Sequence, residues 1–80
     1  MKILWTRPAA DAFERLPRPV QLSLLDRIEL IAEFPEMYPV RERQPYAGFR
    51  YFFARDWCVS YVAAEDSIIL LAVFPARSGR

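Results

Sequence analysis

Residues 48–77 read GFRYFFARDWCVSYVAAEDSIILLAVFPAR, and this stretch decides the fold. It holds three strand-like runs, Phe49–Ala54, Trp57–Ala63 and Ile68–Phe74, rich in the aromatic and β-branched residues that suit a pleated, half-buried surface. Arg55-Asp56 reads as a two-residue turn between the first and second runs, and Ala64–Ser67 as a slightly longer one between the second and third. Connections this short predict an antiparallel meander. The third run, IILLAVF, shows no polar–apolar alternation, which predicts a mid-sheet strand buried on both faces.

Upstream lies PEMYPVRERQPYAG, residues 35–48, with three of the seven prolines and one of the two glycines; this is a stiff connecting loop. Before it, Val20, Leu24, Ile28 and Ile31 fall on one helical face, broadened by Leu25 and Ala32. Ser23, Asp26, Arg27, Glu29 and Glu33 lie mostly on the other. That helix begins at Pro19 and stops ahead of Pro35, because the residue before a proline avoids helical geometry. An earlier helix carries Ala9, Ala12, Phe13 and Leu16 at i, i+3, i+4 and i+7, capped by Thr6, opened by Pro8 and ended by Pro17. Only Leu16–Arg18 joins the two, which predicts an antiparallel αα-hairpin. Residues 2–6, KILWT, read as a short strand with Ile3 and Trp5 on one face. The order is β-α-α-β-β-β. We expect a single α+β domain, residues 1–80, with the hairpin packed on one face of a single, mainly antiparallel sheet. The other face is left open or only partly covered, and function is to be sought there.

Composition narrows the chemistry. The chain has 80 residues and one cysteine, Cys58, so no intramolecular disulfide forms and one thiol builds no zinc site. There is no histidine, which removes the commonest neutral-pH base and metal ligand and excludes Ser–His and Cys–His nucleophiles. We expect neither metal nor cofactor. The start, MKILWTRPAADAF, lacks the apolar run and cleavage site of a secretory signal, and no run approaches a membrane span; we expect a cytoplasmic protein without a membrane partner. Hydrophobic residues make up 54 % and aromatics 15 %, which predicts an exposed apolar patch serving as a partner surface, a dense core being the plain alternative. The net charge is +1. Residues 1–40 carry five bases and six acids, and residues 41–80 six arginines and four acids. A dedicated nucleic-acid binder is far more basic.

The ordered set of local signatures resembles the RelE/ParE toxin superfamily over essentially the whole chain. TRPAADAFERL resembles the family's first helix, FPEMYP its proline-flanked second-helix end, and Gly48 to Arg77 its Gly-aromatic-Arg strand, aromatic strand, acidic turn and apolar last strand. The resemblance implies a cytoplasmic toxin of a type II toxin–antitoxin module, without cofactor, silenced by a cognate antitoxin. One branch cleaves messenger RNA on the ribosome with basic residues and a C-terminal tyrosine. The ParE-like branch lacks these and is similar to poisons of DNA gyrase.

Carried over residue by residue, Arg50 matches the arginine after the Gly-aromatic step and is a candidate for contact with the target. Its plain alternative is a structural brace for the loop of residues 35–48, with Glu36 or Glu42 as partners. Arg77 matches the basic residue past the last strand, and Arg80 extends this candidate contact tail. Cys58 stands where the cleaving branch places a catalytic arginine, and a protonated thiol does not neutralise a phosphorane; its plain reading is a small buried residue. No tyrosine follows Arg77, and Lys2, the sole lysine, does not match the family's lysine-rich base region. The aromatics Phe49, Tyr51, Phe52, Phe53, Trp57 and Tyr61 suit base stacking or, more simply, core pairing. Phe13, Leu24 and Ile28 are candidates for an antitoxin groove. The favoured expectation is a toxin that inhibits a gyrase-like replication enzyme by binding, with no catalytic residue assigned. The rivals are a ribosome-dependent mRNA endoribonuclease, resting on Arg50 with Arg77, and an inert antitoxin-binding module.

Overall fold

Proline and capping residues punctuate the chain where the helices begin and end. In the computed structural model, which describes residues 1–40 and 48–76, strand β1 spans Lys2–Trp5, helix α1 Arg7–Glu14 and helix α2 Arg18–Glu33. Thr6 caps α1: its hydroxyl oxygen accepts from the Ala9 amide at 3.2 Å. Three strands follow, β2 (Arg50–Ala54), β3 (Trp57–Ala63) and β4 (Ser67–Pro75). They form the expected antiparallel meander, and β1 adds in parallel to the far side of β4, giving a sheet of order β1-β4-β3-β2. β1 and β2 are therefore the outer strands among the described residues.

Both helices pack on one face of this sheet, α1 over β4 and α2 over β2 and β4. The helical period is reproduced in burial. Val20, Leu24, Ile28 and Ile31 all enter the core, where they meet Phe52, Val59, Tyr61, Ile68 and Leu70. Burying each such side chain contributes about 1.5–3 kcal/mol. Leu25, read as broadening this stripe, instead faces outward, because it lies one helical step of about 100° from Leu24, past the stripe's edge. The two helices are tied where the Gln21 side-chain amide donates to the Phe13 carbonyl at 2.9 Å.

β4 is central, as expected, but it is not buried on both faces. Ser60 pairs with Ala72 while Tyr61 pairs with Leu70, so Leu71 is an extra residue, a β-bulge. The bulge shifts the side-chain phase by one. Ile68, Leu70 and then Val73 point to the helices, and Ile69, Leu71, Ala72 and Phe74 are left on the other side. Lost alternation in IILLAVF records this phase shift, not a second covering layer. Thr6 fixes the place of the bulge, since its hydroxyl donates to the Leu71 carbonyl at 2.8 Å and its amide to the Leu70 carbonyl at 3.0 Å.

Candidate functional site

On β2 and β3 the sheet face away from the helices is built by strict alternation. On β2, Phe52 and Ala54 turn to the core while Tyr51 and Phe53 turn outward. Across from them on β3, Ser60 pairs with Tyr51 and Cys58 with Phe53. Cys58 also pairs with Phe74 of β4. Together with Leu71, Ala72 and Ala76 these side chains line an open groove of ≈ 640 Å³ whose rim includes Phe49 and Arg50. Phe53 and Phe74 are 53 % and 41 % exposed, too much for core residues, so the apolar surplus read from composition is partly placed here. Among the described residues, the groove's polar groups are the Tyr51 phenol, the Ser60 hydroxyl, the Cys58 thiol and Arg50 at the rim.

Arg50 leads into the second layer of the site. Its Nη1 donates to the carbonyl oxygen of Tyr38, so the guanidinium braces the segment after α2, and the partner is a backbone carbonyl instead of the expected Glu36. Three further contacts hold the same segment. Arg27 donates to the Tyr38 hydroxyl. The Tyr38 ring stacks on Phe52 with centroids 5.5 Å apart. The Tyr61 hydroxyl donates to the Pro35 carbonyl at 3.2 Å. Burial pushes the Tyr61 phenol above its usual pKa, an effect opposed by the positive charge of Arg50 and reinforced by Tyr38. Gly48, just ahead of this strand, has φ +89°, a conformation that favours glycine and explains the glycine of the Gly-aromatic-Arg motif.

The predicted site residues therefore separate. Arg50 reaches the groove's rim but is engaged in bracing. Cys58 is 6 % exposed and lies on the groove floor between Phe53 and Phe74, so the small-buried-residue reading fits and no cation stands at that position. Arg77, Arg80 and Glu42 lie outside the described residues. The aromatic group divides by strand face: Phe52 and Tyr61 are core, Tyr51 and Phe53 line the groove, Phe49 sits at its rim and Trp57 is half-buried.

The candidates for an antitoxin groove turn mostly inward. Leu24 is wholly buried and Ile28 is 5 % exposed; both point into the sheet and offer no outer surface. Phe13 is half-buried and packs edge-on against Trp5 at 5.0 Å. The leucines that do face outward on α2 are Leu22, Leu25 and Leu30, followed by Phe34. Sequence reading passed over Leu22 and Leu30 because they fall off the core stripe. The signal was present in that very fact, since apolar residues on the wrong face of an amphipathic helix call for a second partner.

Comparison with known proteins bears on this geometry. The family model described as ParE toxin of type II toxin–antitoxin system, parDE, matches residues 3–78. Among solved structures, the intact E. coli RelBE toxin–antitoxin complex contains a chain similar at TM-score 0.81 and 13 % identity, over 95 % of this chain and 96 % of that one. The YoeB/ParE toxin from Agrobacterium tumefaciens is similar at TM-score 0.77 and 15 % identity, covering 94 % and 98 %. A chromosomal ParDE system from P. aeruginosa is similar at 0.66 and 16 %, covering 96 % and 97 %. At these identities the structural likeness establishes the fold alone. No curated protein sequence matches the chain.

Proposed function

The chain belongs to the ParE toxin family of type II toxin–antitoxin systems, and from that premise we propose that it arrests growth by binding an essential replication enzyme, gyrase-like in kind, until a cognate antitoxin occupies it. The observation that carries this reading is the chemistry of the open sheet face. Its groove is walled by Tyr51, Phe53, Leu71, Ala72 and Phe74 and has a buried thiol in its floor. Cleavage of a phosphodiester needs a base, an acid and a charge stabiliser held together. Among the described residues, the one charged side chain lining the groove, Arg50, is engaged with the Tyr38 carbonyl. An apolar groove with aromatic walls is suited to gripping a protein surface, where aromatic anchors carry most of the binding energy. In this reading the chain needs no cofactor, and Arg77 and Arg80 extend the contact beyond the last strand.

Pulse labelling tests the proposal. The chain is induced alone in a bacterial host, and thymidine and methionine incorporation are followed over the first minutes. Thymidine incorporation falls first, and Phe53→Glu, an exposed change on the groove wall, abolishes the fall while the protein stays folded. An earlier fall in methionine incorporation would place the action on translation and favour the endoribonuclease. No fall in either, with folded protein abundant, would leave an inert binding module.

A further inference from the structure

The open sheet face carries a ridge and a furrow side by side. Along β3 its side chains are small: Cys58 and Ser60 form the floor of the groove. On one side β2 raises an aromatic wall, in which Tyr51 and Phe53 meet edge to face with centroids 5.8 Å apart. On the other side β4 raises Leu71 and Phe74. Wall and floor belong to neighbouring strands, so ridge and furrow run side by side at about 4.8 Å. Such a surface fits its own image. Turned about a two-fold axis that runs along the strands between β2 and β3, the β2 wall of each copy enters the furrow of the other, the same patch serving on both sides. Each copy's Phe53 then lies over the Cys58 of the other.

Charge raises no obstacle to this pairing. Among the described residues the four strands carry two charged side chains, Lys2 and Arg50. Lys2 stands on β1, at the opposite edge of the sheet from β2, and the Arg50 guanidinium is turned to the Tyr38 carbonyl. Both remain cations, yet neither stands over the floor on β3, where an image copy would set like charge against like. The same scarcity of cations argues against a nucleic-acid backbone, whose phosphates call for several. It argues equally against an anionic bilayer, which an apolar surface reaches with a flank of Lys or Arg. Ring area adds to the case. Phe53 and Phe74 are about half exposed, so each has on the order of 100 Å² left to bury. Interleaved walls also bring rings of one copy against rings of the other, a contact worth more than its area alone.

We infer that the open sheet face is a self-association surface: a second copy of this chain covers the groove, β2 wall into β3 furrow. The patch is small, so the dimer belongs with the weak interfaces that bury less than about 1,200 Å² in all, and it forms in the micromolar range. It leaves the outer side of the helices untouched. With its groove closed, the dimer does not grip a target there. That consequence rests on the toxin reading, whereas the dimer itself rests on shape and charge.

Sedimentation velocity on the full chain tests this, over about 1 to 200 µM. The chain is a monomer at the lowest concentrations and a dimer at the highest, with half-association on the order of tens of micromolar. Raising the salt to about 1 M does not dissociate it, because apolar burial is not screened. Phe53→Glu drives a carboxylate into each furrow and Phe74→Ser removes a wall, and each weakens association at least about ten-fold. Leu22→Ser with Leu30→Ser, on the outer side of α2, leaves it unchanged. All four positions are exposed, and circular dichroism checks that each variant is folded. A monomer throughout the range, a dimer that salt dissociates, or one lost through the α2 changes and kept by Phe53→Glu would each overturn the inference. So would binding to neutral phosphatidylcholine vesicles through Phe53 in place of self-association. None of these readouts depends on growth arrest. A chain that dimerises but leaves thymidine labelling untouched sinks the toxin mechanism alone, and a monomer that arrests labelling sinks the dimer alone.

Discussion

Replacing Arg50 with alanine separates a brace from a contact residue. The side chain donates from Nη1 to the Tyr38 carbonyl, a hydrogen bond with a charged donor. Such bonds contribute about 1.5–3 kcal/mol. Arg50 is half-buried, so solvent screening moves the expected loss to about 1–1.5 kcal/mol. In a domain of this size, each kcal/mol shifts Tm by about 4–8 °C. Urea denaturation should show a midpoint lower by about 1 M with the slope unchanged. Arg50→Lys keeps the charge but not the planar fork, and recovers part of the loss. Tyr61→Phe removes the second tether, from the Tyr61 hydroxyl to the Pro35 carbonyl. Because both tethers hold the same short segment, the double variant loses less than the sum of the singles, by about 0.5 kcal/mol or more. Thymidine labelling, corrected for folded protein, is unchanged in Arg50→Ala. An unaltered urea midpoint together with lost toxicity would refute the reasoning and make Arg50 a contact with the target.

Two further variants probe the same framework. Thr6→Val removes both the cap on the Ala9 amide and the bond to the Leu71 carbonyl, so thermal denaturation should show a loss of about 1–2 kcal/mol, largely restored by Thr6→Ser; equal losses for Val and Ser would mean that the hydroxyl is not the cause. Tyr61 has a raised folded-state pKa, so the stability it contributes is complete below the unfolded value near 10 and is lost as pH rises through the folded value; urea midpoints should fall above about pH 10 in the wild type and fall less steeply in Tyr61→Phe.

Legibility tracked the range of the interactions involved. The inward face of α2, from Val20 to Ile31, was readable because a 3.6-residue period is local. The meander was readable because connections as short as Arg55-Asp56 and Ala64–Ser67 admit little else. The bulge at Leu71 was not, since its position depends on a hydroxyl 65 residues away. Arg50 was legible as brace or contact but not as one of them, because the deciding partner is a main-chain oxygen, and any residue would supply one. The aromatics were read as a group, whereas strand alternation sends Phe52 inward and Phe53 outward. The antitoxin-groove candidates on α2 turn inward for a related reason. Leu24 and Ile28 were chosen because they are apolar on a helix, yet the stripe that makes the helix fold is the stripe it cannot offer to a partner.

The two exposed surfaces differ in a way that separates their uses. Among the described residues, the sheet groove is apolar with one rim cation, whereas the α2 face combines leucines with three carboxylates. The part of the first contact made by the groove itself should vary little with ionic strength, because burial of apolar area is not screened. Binding at the second should weaken with salt, since exposed charges lose most of their reach beyond about 8 Å at physiological ionic strength. An antitoxin that holds a surface outside the groove and runs on into it would convert its second contact into an intramolecular one, with avidity set by the connecting length. A target protein confined to the groove has no such second hold. Neutralisation then does not require the antitoxin to outbind the target at the shared surface, only to retain a site the target never touches. Selective loss of neutralisation in a variant changed outside the groove, with toxicity intact, is the pattern that this arrangement dictates.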